Sequence, residues 1–502
     1  MDNEPLKSFK NVELIWLFAV DLIKPIHKMD ITIDNITKCS FCQGMLKYYN
    51  PTERVKGIGE IKIYCDDKNE EKACNDILQL FMDTDFLTLD EDYLEASSYV
   101  RFLLNGPKIK FPVGEKYYDV KVIFTLSSLG IGIFSFWADL DFEIDSKELA
   151  KLQISPLLET RDLAVELPIE ILKELTHLDK DYLPKYEKLK NKDKKFINLK
   201  KTSFEELIGF YWNTTINRLF NLKYKSQGEI TNNLRSESYC VFPMVVIHSD
   251  EYEFADDFIK ENPRQLYQIL SHMYNIDHNL IYPNVLDEVL EPNITERRDI
   301  AYLDALGSVV LLFGSKTKDI IKNQMKYDKK IISVEGEYQK LIFESFIIVE
   351  ILQLQRQYLN FLTQILTRPI TEMSPREIST MRSYLSKALD FYHGNVTGNS
   401  LARKRIEHGK DITEIDESFE AINEKMDLLG DALESFNDLR TSFFEIALGL
   451  ILGIVPMFYI LIPFEEPLYN SIAAIGITVG IILTFTSLSR LYWKRLKKKE
   501  IK

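Results

Sequence analysis

Cysteine is the residue type whose spacing in this sequence first suggests chemistry. Cys39 and Cys42 form a CxxC pair, a common arrangement of thiolate ligands for zinc. Cys65 and Cys74 follow downstream but lie nine residues apart, so a second closely spaced pair is missing. The spacing therefore favours reduced, partly buried thiols over a zinc site, and it leaves the identity of any bound metal open.

Two pairs of residues are candidates for binding a small anionic nucleotide. Arg297 and Arg298 are adjacent, and guanidinium groups form forked hydrogen bonds with phosphate. Trp212 and Arg218 lie on one predicted helix, where the indole ring offers a stacking surface for a base. The alternative for each residue is an ordinary surface arginine or a core tryptophan.

Other motifs carry little chemistry. The acidic residues between positions 250 and 257 can be interpreted as a divalent-cation site between subunits, but a solvated turn is the simpler interpretation. Glycine pairs at 57–59 and 130–132 lack the third glycine of a dinucleotide-binding loop, and the seven histidines are scattered. The sequence therefore predicts a protein that is not an enzyme, with no catalytic residues.

The composition is that of a folded, acidic protein. Of 502 residues, 27% are charged and 45% are hydrophobic, which is typical of globular chains and not of disordered ones. Lys and Arg number 62 against 76 Asp and Glu, so the formal net charge is −14. A negative chain is poorly suited to wrapping nucleic acid, and we expect no nucleic-acid partner.

The apolar residues are concentrated near the end of the sequence. Residues 443–463 and 471–489 are two apolar segments, and at 1.5 Å per residue their helices would measure roughly 31 and 28 Å, close to the thickness of a bilayer core. Residues 490–502 then carry a net charge of +6, which leaves −20 for the rest of the chain. The pattern predicts two transmembrane helices with a basic cytoplasmic tail; the alternative is a helical hairpin buried in a large core.

The flanking charges predict the orientation of this hairpin. The linker at 464–470 contains Glu465 and Glu466 and no basic residue, so it is predicted to be the external loop. Both termini would then be cytoplasmic, and the protein would be a multi-pass protein of the inner (plasma) membrane of a prokaryote. Membrane lipid is accordingly an expected partner.

A long amphipathic helix is predicted directly before the first apolar segment. Apolar residues recur at alternating spacings of three and four from Ile412 to Phe436, as in a coiled coil. This seam either packs on helices of the same chain or faces identical stalk helices in a homo-oligomer. In the second case the same face continues into the membrane and lines a pore, with the residues Arg440, Phe443, Ala447, Leu450, Ile454, Met457 and Leu461.

These elements give a three-part domain organisation. Residues 1–330 mix strand and helix patterns, including a β-hairpin at 119–137 and strands at 99–104 and 240–248, and predict an α+β cytosolic domain. Residues 331–440 are predicted to form a helical hairpin and the long stalk helix. Residues 441–502 complete the chain as the transmembrane hairpin and its basic tail.

This arrangement resembles the CorA-type divalent cation transporter family, whose members are homopentamers with the first span lining the pore. Leu461-Ile462-Pro463 stands where that family carries Gly-Met-Asn, and Phe464-Glu465 falls where it often has Phe-Glu. The missing tripeptide weakens the expectation of selectivity for hydrated Mg²⁺, which remains a candidate permeant or regulatory ion. It also suggests the divergent CorA-like membrane effectors of type III CRISPR systems.

The resemblance implies a function for the whole chain. The expected function is a homopentameric channel opened by a nucleotide second messenger of the S-adenosylmethionine–AMP type, which disrupts membrane integrity in antiviral defence. One alternative is a divalent cation (Mg²⁺) transporter with a divergent selectivity loop. A second alternative is a membrane-anchored scaffold.

Overall fold

We analysed a computed structural model of the chain. It describes residues 8–21, 29–48, 59–65, 67–89, 99–127, 130–157, 161–171, 195–219, 239–275, 286, 290, 295, 297–305, 307–327, 333–366, 378–379 and 396–461. Within helices and strands, a few side chains of these residues also lie outside the description, among them those of residues 450–461.

A twelve-stranded mixed sheet is the centre of the described structure. Its main path runs in the order β11-β10-β6-β7-β8-β2-β12-β14-β13, and β5 pairs with β7 and carries β3 and β4. A separate two-stranded sheet joins β1 and β9. The strands are β1 Ser8–Phe9, β2 Val12–Asp21, β3 Cys42–Tyr48, β4 Gly59–Ile63, β5 Tyr99–Leu104, β6 Lys108–Lys110, β7 Tyr118–Ser127, β8 Ile131–Leu140, β9 Ile144–Asp145, β10 Leu163–Pro168, β11 Phe196–Thr202, β12 Tyr239–His248, β13 Ile300–Ala305 and β14 Ser308–Phe313.

The central strands are apolar on both faces because both faces of the sheet are covered. In β2, every residue from Val12 to Val20 is buried, and β14 is buried throughout. Antiparallel pairing dominates, but β12 and β14 are parallel neighbours, with Met244 opposite Val309. A parallel pair needs a crossover connection, and the described part of the segment between these two strands includes two helices and β13.

Ten α-helices accompany the sheet in the described residues. Most are short and alternate with strands along the chain, whereas the last four follow the final strand. The helices are α1 Met29–Thr37, α2 Lys68–Thr88, α3 Ser146–Gln153, α4 Phe204–Leu219, α5 Ala255–Glu261, α6 Pro263–Leu270, α7 Thr317–Met325, α8 Val334–Ile365, α9 Ser400–Ile412 and α10 Ile415–Leu461.

The chain divides into two compact units. The first comprises residues 1–361 and 391–416, and it holds the whole sheet and the hydrophobic core. The second comprises residues 362–390 and 417–502, and its described part is mostly α10. No described feature tests the predicted domain boundaries at 330 and 440, which stay predictions.

Several predicted elements of the sheet region are confirmed. The hairpin predicted at 119–137 is the β7–β8 pair, with Val122 opposite Phe136, and Gly130 in its turn has a φ of 86°, a conformation that favours glycine. Strands predicted at 99–104 and 240–248 correspond to β5 and β12. Local alternation and turn residues were sufficient to locate these elements.

The predicted fold class is wrong. The α+β cytosolic domain with a CorA-like membrane hairpin is replaced by an α/β fold built on a large mixed sheet. The prediction failed because it relied on local hairpins, which are typical of α+β domains. The parallel β12–β14 pair joins strands that are about sixty residues apart in the sequence, and local patterns do not reveal such a pairing.

The membrane prediction is also contradicted. Among the residues that the structure describes, no helix combines the length and apolar character needed to cross a membrane. This finding overturns the classification as a membrane protein with transmembrane helices and the multi-pass location in the inner membrane. The predicted second span at 471–489 and the loop residues Glu465 and Glu466 lie outside the described residues.

The stalk is not one continuous helix. Glu414, between α9 and α10, adopts a left-handed conformation with a φ of 55°, and it interrupts the helix there. Further along, the seam residues Phe419, Ile422 and Leu429 are buried within the single chain. The predicted pore-lining residues fall on α10, but their side chains lie outside the description, so that role stays a prediction.

Candidate functional site

The arginines predicted to bind a nucleotide are engaged by carboxylates. Arg297 forms a forked interaction with Asp299, with Nε–Oδ1 and Nη2–Oδ2 distances of 3.0 and 2.6 Å. The exposed Arg298 guanidinium lies 4.8 Å from the centre of the Phe254 ring and 3.7 Å from carboxylate oxygens of both Asp256 and Asp257. These carboxylates already neutralise the positive charge of the two arginines that a phosphate group would need.

The predicted stacking surface is part of the core. Trp212 on α4 is only 6% exposed, and its ring packs edge-on against Phe134 at 6.2 Å. Arg218, in the last turn of the same helix, is exposed. Trp212 is therefore a core tryptophan.

The acidic segment at 250–257 behaves as a surface turn with local ion pairs. Asp256 and Asp257 face Arg298, and a carboxylate oxygen of Glu253 lies 3.4 Å from Lys316. In the described residues, no group of three or more His, Cys, Asp or Glu side chains is arranged to hold a metal ion as it stands.

A buried ionic cluster connects the sheet with two helices. Arg101 on β5 bonds to Glu350 on α8, with an Nη2–Oε2 distance of 2.5 Å, and to Asp85 on α2. Tyr48 also donates to Asp85, and Thr125 donates to Glu350. The two carboxylates and the guanidinium are at most 1% exposed, so the cluster fixes α2 and α8 against the sheet.

The cluster contains one more carboxylate than it has cations. Desolvation raises the pKa of Asp85 to about 6, against the attraction of Arg101. Asp85 Oδ1 has no hydrogen-bond partner among the described residues, and a proton on that oxygen would make the cluster neutral. The cluster therefore has a structural role, and its burial leaves no path by which a substrate could reach it.

A second polar array lies on the sheet near the end of β12. His248 contacts Glu13 through Nε2, at 3.1 Å, and the hydroxyl of Tyr338 through Nδ1. Trp137 donates to the other oxygen of Glu13 at 2.8 Å. A carboxylate, an imidazole and a phenol that contact one another in this order can relay a proton. Tyr338 is only 4% exposed, however, so its phenol has almost no contact with solvent. The array therefore serves to join α8 to the sheet.

The best candidate site is a surface cleft of about 320 Å³ in the first unit. Three elements form it: α3 with the turn after it, the start of β10 and the start of α4. The segment after β6 closes one side. The described lining residues are Pro112, Val113, Glu148, Lys151, Leu152, Ser155, Asp162, Leu163 and Phe204.

Aromatic packing positions the apolar floor of this cleft. Leu152, Leu163 and Phe204 are each at most 5% exposed. The Phe204 ring lies 4.8 Å from the ring of Trp16 on β2, and the Trp16 indole donates to the carbonyl of Leu152 at 3.1 Å. The floor is therefore anchored to the central sheet, which makes the cleft largely preformed.

Helix capping positions the polar groups. Asp145 caps α3 by accepting a hydrogen bond from the backbone N–H of Glu148 at 2.7 Å. At the start of α4, Ser203 accepts from the N–H of Glu206 at 3.1 Å, while Glu206 accepts from the N–H of Ser203 at 3.3 Å. These two caps fix where each helix begins and hence where Glu148 and Phe204 enter the cleft.

In the cleft, the Glu148 carboxylate accepts a hydrogen bond from the backbone N–H of Asp145 and is attracted by the ammonium group of Lys151. Among the described residues, none of the charged groups of Glu148, Lys151 and Asp162 forms an ion pair within 4 Å. The buried hydroxyl of Ser155 likewise has no hydrogen-bond partner there. Neighbouring Arg161, by contrast, pairs with Glu206 at 3.0 Å. The three charged side chains thus form, among the described residues, no close ion pair that a ligand would have to displace.

The electrostatics of the cleft favour a cation. Two carboxylates face one ammonium group, so the lining carries a net negative charge. Burial, and then the nearby carboxylate of Asp145, raises the pKa of Glu148. A positively charged ligand group would offset the cost of ionising Glu148 in this half-buried position.

Sequence reasoning missed this site because its residues come from three distant segments. The signals that could have located two of its walls are the patterns Asp145-x-x-Glu148 and Ser203-x-x-Glu206, which mark helix starts. Nothing in the sequence pairs these two helix starts, since that depends on the order of strands in the sheet.

The comparisons with known proteins do not indicate a function, so the conclusions about the site depend on the structure. No protein-family model matches the chain, and no curated protein is similar to it at a significant level. The resemblance to CorA-type transporters therefore stays a prediction from the sequence, while the membrane fold that it implied is contradicted by the described structure.

Proposed function

We propose that the protein is a non-enzymatic binding protein for a small amine that carries an apolar group. The observation that supports the proposal is the cleft itself, where an apolar floor meets the carboxylates of Glu148 and Asp162, which form no ion pair within 4 Å in the described part of the chain. Ligand sites commonly combine an apolar lining with a few polar groups that fix orientation. Here the ammonium group would contact the carboxylates and the apolar group would lie on Phe204 and Leu163.

The size of the cleft limits the ligand. A volume of about 320 Å³ is near the lower end of ligand pockets, which measure roughly 300–1,000 Å³. Together with the net negative lining, this size disfavours a polyanionic dinucleotide. The nucleotide second messenger expected from the sequence is therefore not part of the proposal, and neither is the channel, which depended on the membrane spans.

The polar groups of the cleft also favour binding over catalysis. A serine nucleophile needs a base within hydrogen-bond reach, and the Ser155 hydroxyl has no such partner in the described structure. We assign Ser155 the role of a neutral hydrogen-bonding group for the ligand. Lys151 would contact any acceptor that accompanies the amine.

A calorimetric titration with three matched probes tests the proposal. Phenethylamine, 2-phenylethanol and 3-phenylpropionate share an apolar body and differ in charge. We expect phenethylamine to bind about tenfold tighter than the alcohol, since a hydrogen bond to a charged group contributes about 1.5–3 kcal/mol. The carboxylate should bind most weakly because the lining repels it.

The outcomes separate two kinds of error. Preference for the carboxylate would show that the ligand class is wrong while the cleft still binds small molecules. If none of the three probes binds saturably at millimolar concentration, the proposed function is wrong.

A further inference from the structure

Four of the five cysteines converge at one place in the fold. They come from four different segments: the end of α1, the start of β3, the end of β4 and the second turn of α2. The residues are Cys39, Cys42, Cys65 and Cys74, and each is buried or half-buried.

A tight turn brings the first two cysteines together. The backbone N–H of Cys42 donates to the carbonyl of Cys39 at 3.1 Å, which closes a turn over the CxxC segment. Such a turn places both side chains at one end of the chain reversal, before β3 begins at Cys42. This is the way in which a CxxC pair presents two thiolates to one metal.

The β3–β4 register places the third cysteine opposite the second. Gly44 pairs with Ile63, and the next backbone bond runs from the N–H of Tyr64 to the carbonyl of Gln43 at 2.8 Å. Continuing this register sets Cys42 directly across from Cys65. Side chains that are directly opposite in an antiparallel pair have Cβ atoms about 4.5–5.5 Å apart.

The fourth cysteine reaches the same face from α2. The sulfurs of Cys65 and Cys74 are 3.2 Å apart. On β3, a Cβ added to Gly44 would lie 2.8 Å from Leu78, which follows Cys74 by one helical turn. Cys74 Sγ also lies 3.7 Å from the side-chain oxygen of Gln43, the residue that follows Cys42, so α2 meets the start of β3 where Cys74 lies.

We propose that Cys39, Cys42, Cys65 and Cys74 form a structural zinc site. Four thiolates around one Zn²⁺ with Zn–S distances of about 2.3 Å are a common structural site. Each thiol gives up its proton to solvent when it binds, so the bound site consists of four thiolates and one divalent cation. The spacing of nine residues between the last two cysteines, which argued against zinc, is accommodated because Cys74 lies on a helix that starts just after Cys65.

The site requires small side-chain movements. As they stand, Cys39 Sγ lies 3.3 Å from the carbonyl of Asn35 and Cys42 Sγ lies 3.6 Å from that of Gly44. No three of the described side chains are yet arranged around an ion. Rotation about a single side-chain bond redirects each of these sulfurs, and exchanging weak thiol hydrogen bonds for metal coordination favours the change.

Metal analysis of the full chain tests the proposal. We expect about one zinc per chain by mass spectrometry of the purified protein, and X-ray absorption should show four sulfur neighbours at about 2.3 Å. The variants C42S and C65S should lose the zinc. C240S is the matched control, because Cys240 on β12 is the fifth cysteine and is not in the group, and it should keep the zinc.

Other outcomes would overturn the site. A disulfide between Cys65 and Cys74 in the untreated protein would be seen as a loss of two mass units. It would show that these two sulfurs are close because they form a disulfide and not because they bind a metal. Iron in place of zinc would overturn the metal identity, and equal zinc content in C42S and C240S would exclude these ligands. If C42S does not fold, the absorption spectrum of the unmodified protein still decides, since fewer than four sulfur neighbours contradict the proposal.

Discussion

At the scale of single residues, Arg101 is the cation of a fully buried group of charges. Its guanidinium lies between Asp85 and Glu350, which are both essentially inaccessible to solvent. Removing the only cation of such a group leaves carboxylates buried without compensation. The same contacts explain why α2 and α8 are held at fixed positions on the sheet.

We therefore expect R101M to lower the free energy of unfolding by about 3–5 kcal/mol. Urea denaturation followed by circular dichroism measures the change. The matched control is R161M, since Arg161 is 67% exposed and pairs with Glu206 at the surface, where an ion pair contributes about 0–1 kcal/mol. Similar losses in both variants would contradict the importance of the buried cluster.

Glu148 is the residue on which the proposed binding depends. Its raised pKa means that it loses its charge at a higher pH than an ordinary glutamate. Binding of an amine needs the ionised form, so affinity is highest above this pKa and falls as the pH is lowered through it.

At the scale of elements, the junction between α9 and α10 is set by one residue. Glu414 has a φ of 55°, and its N–H bonds to the carbonyl of Asp411 at 3.2 Å. A residue with a side chain is strained in this conformation by about 1–2 kcal/mol. The break separates α9, which belongs to the first unit, from the long helix that follows.

We expect E414G to raise the free energy of unfolding by up to about 1 kcal/mol, because glycine relieves this strain while adding some freedom to the unfolded chain. The matched control is E417G, which places glycine at an exposed position inside α10 and should cost about 1 kcal/mol. Thermal unfolding of the two variants checks the opposite signs. Destabilisation by E414G would mean that the junction is not strained.

The elements also show what the sequence could and could not predict. The β7–β8 hairpin was predictable because alternating apolar residues surround a glycine turn. The break at Glu414 was not, since its neighbours keep the helical apolar spacing across it. The cleft was not predictable either, because residues 112, 148 and 204 meet only through the order of strands in the sheet.

At the scale of the whole molecule, two exposed apolar residues on α10 allow a test of the homo-oligomer that the sequence predicts. Ile446 and Leu448 are 58% and 56% exposed in the single chain. Covering such side chains is favourable by about 25 cal/mol per Å² of apolar surface. We propose that a second copy of the chain covers them, and the pentamer implied by the family resemblance stays a prediction.

Light scattering after size-exclusion chromatography tests this assembly. The wild-type chain should have a mass of at least twice the 58.6 kDa of one chain, and the double variant I446E/L448E should shift toward the monomer. The control is L87E, because Leu87 on α2 is 64% exposed and lies outside α10. A monomeric wild-type chain would refute self-association.

The central claim is that Glu148 and its cleft bind a small amine, and one titration tests it most directly. Phenethylamine is titrated calorimetrically at pH 7.5 into the E148Q variant and into E71Q, whose substitution removes an exposed glutamate of α2 outside the cleft. The account predicts a loss of affinity of about tenfold or more in E148Q and none in E71Q. Equal affinities in the two variants would contradict it.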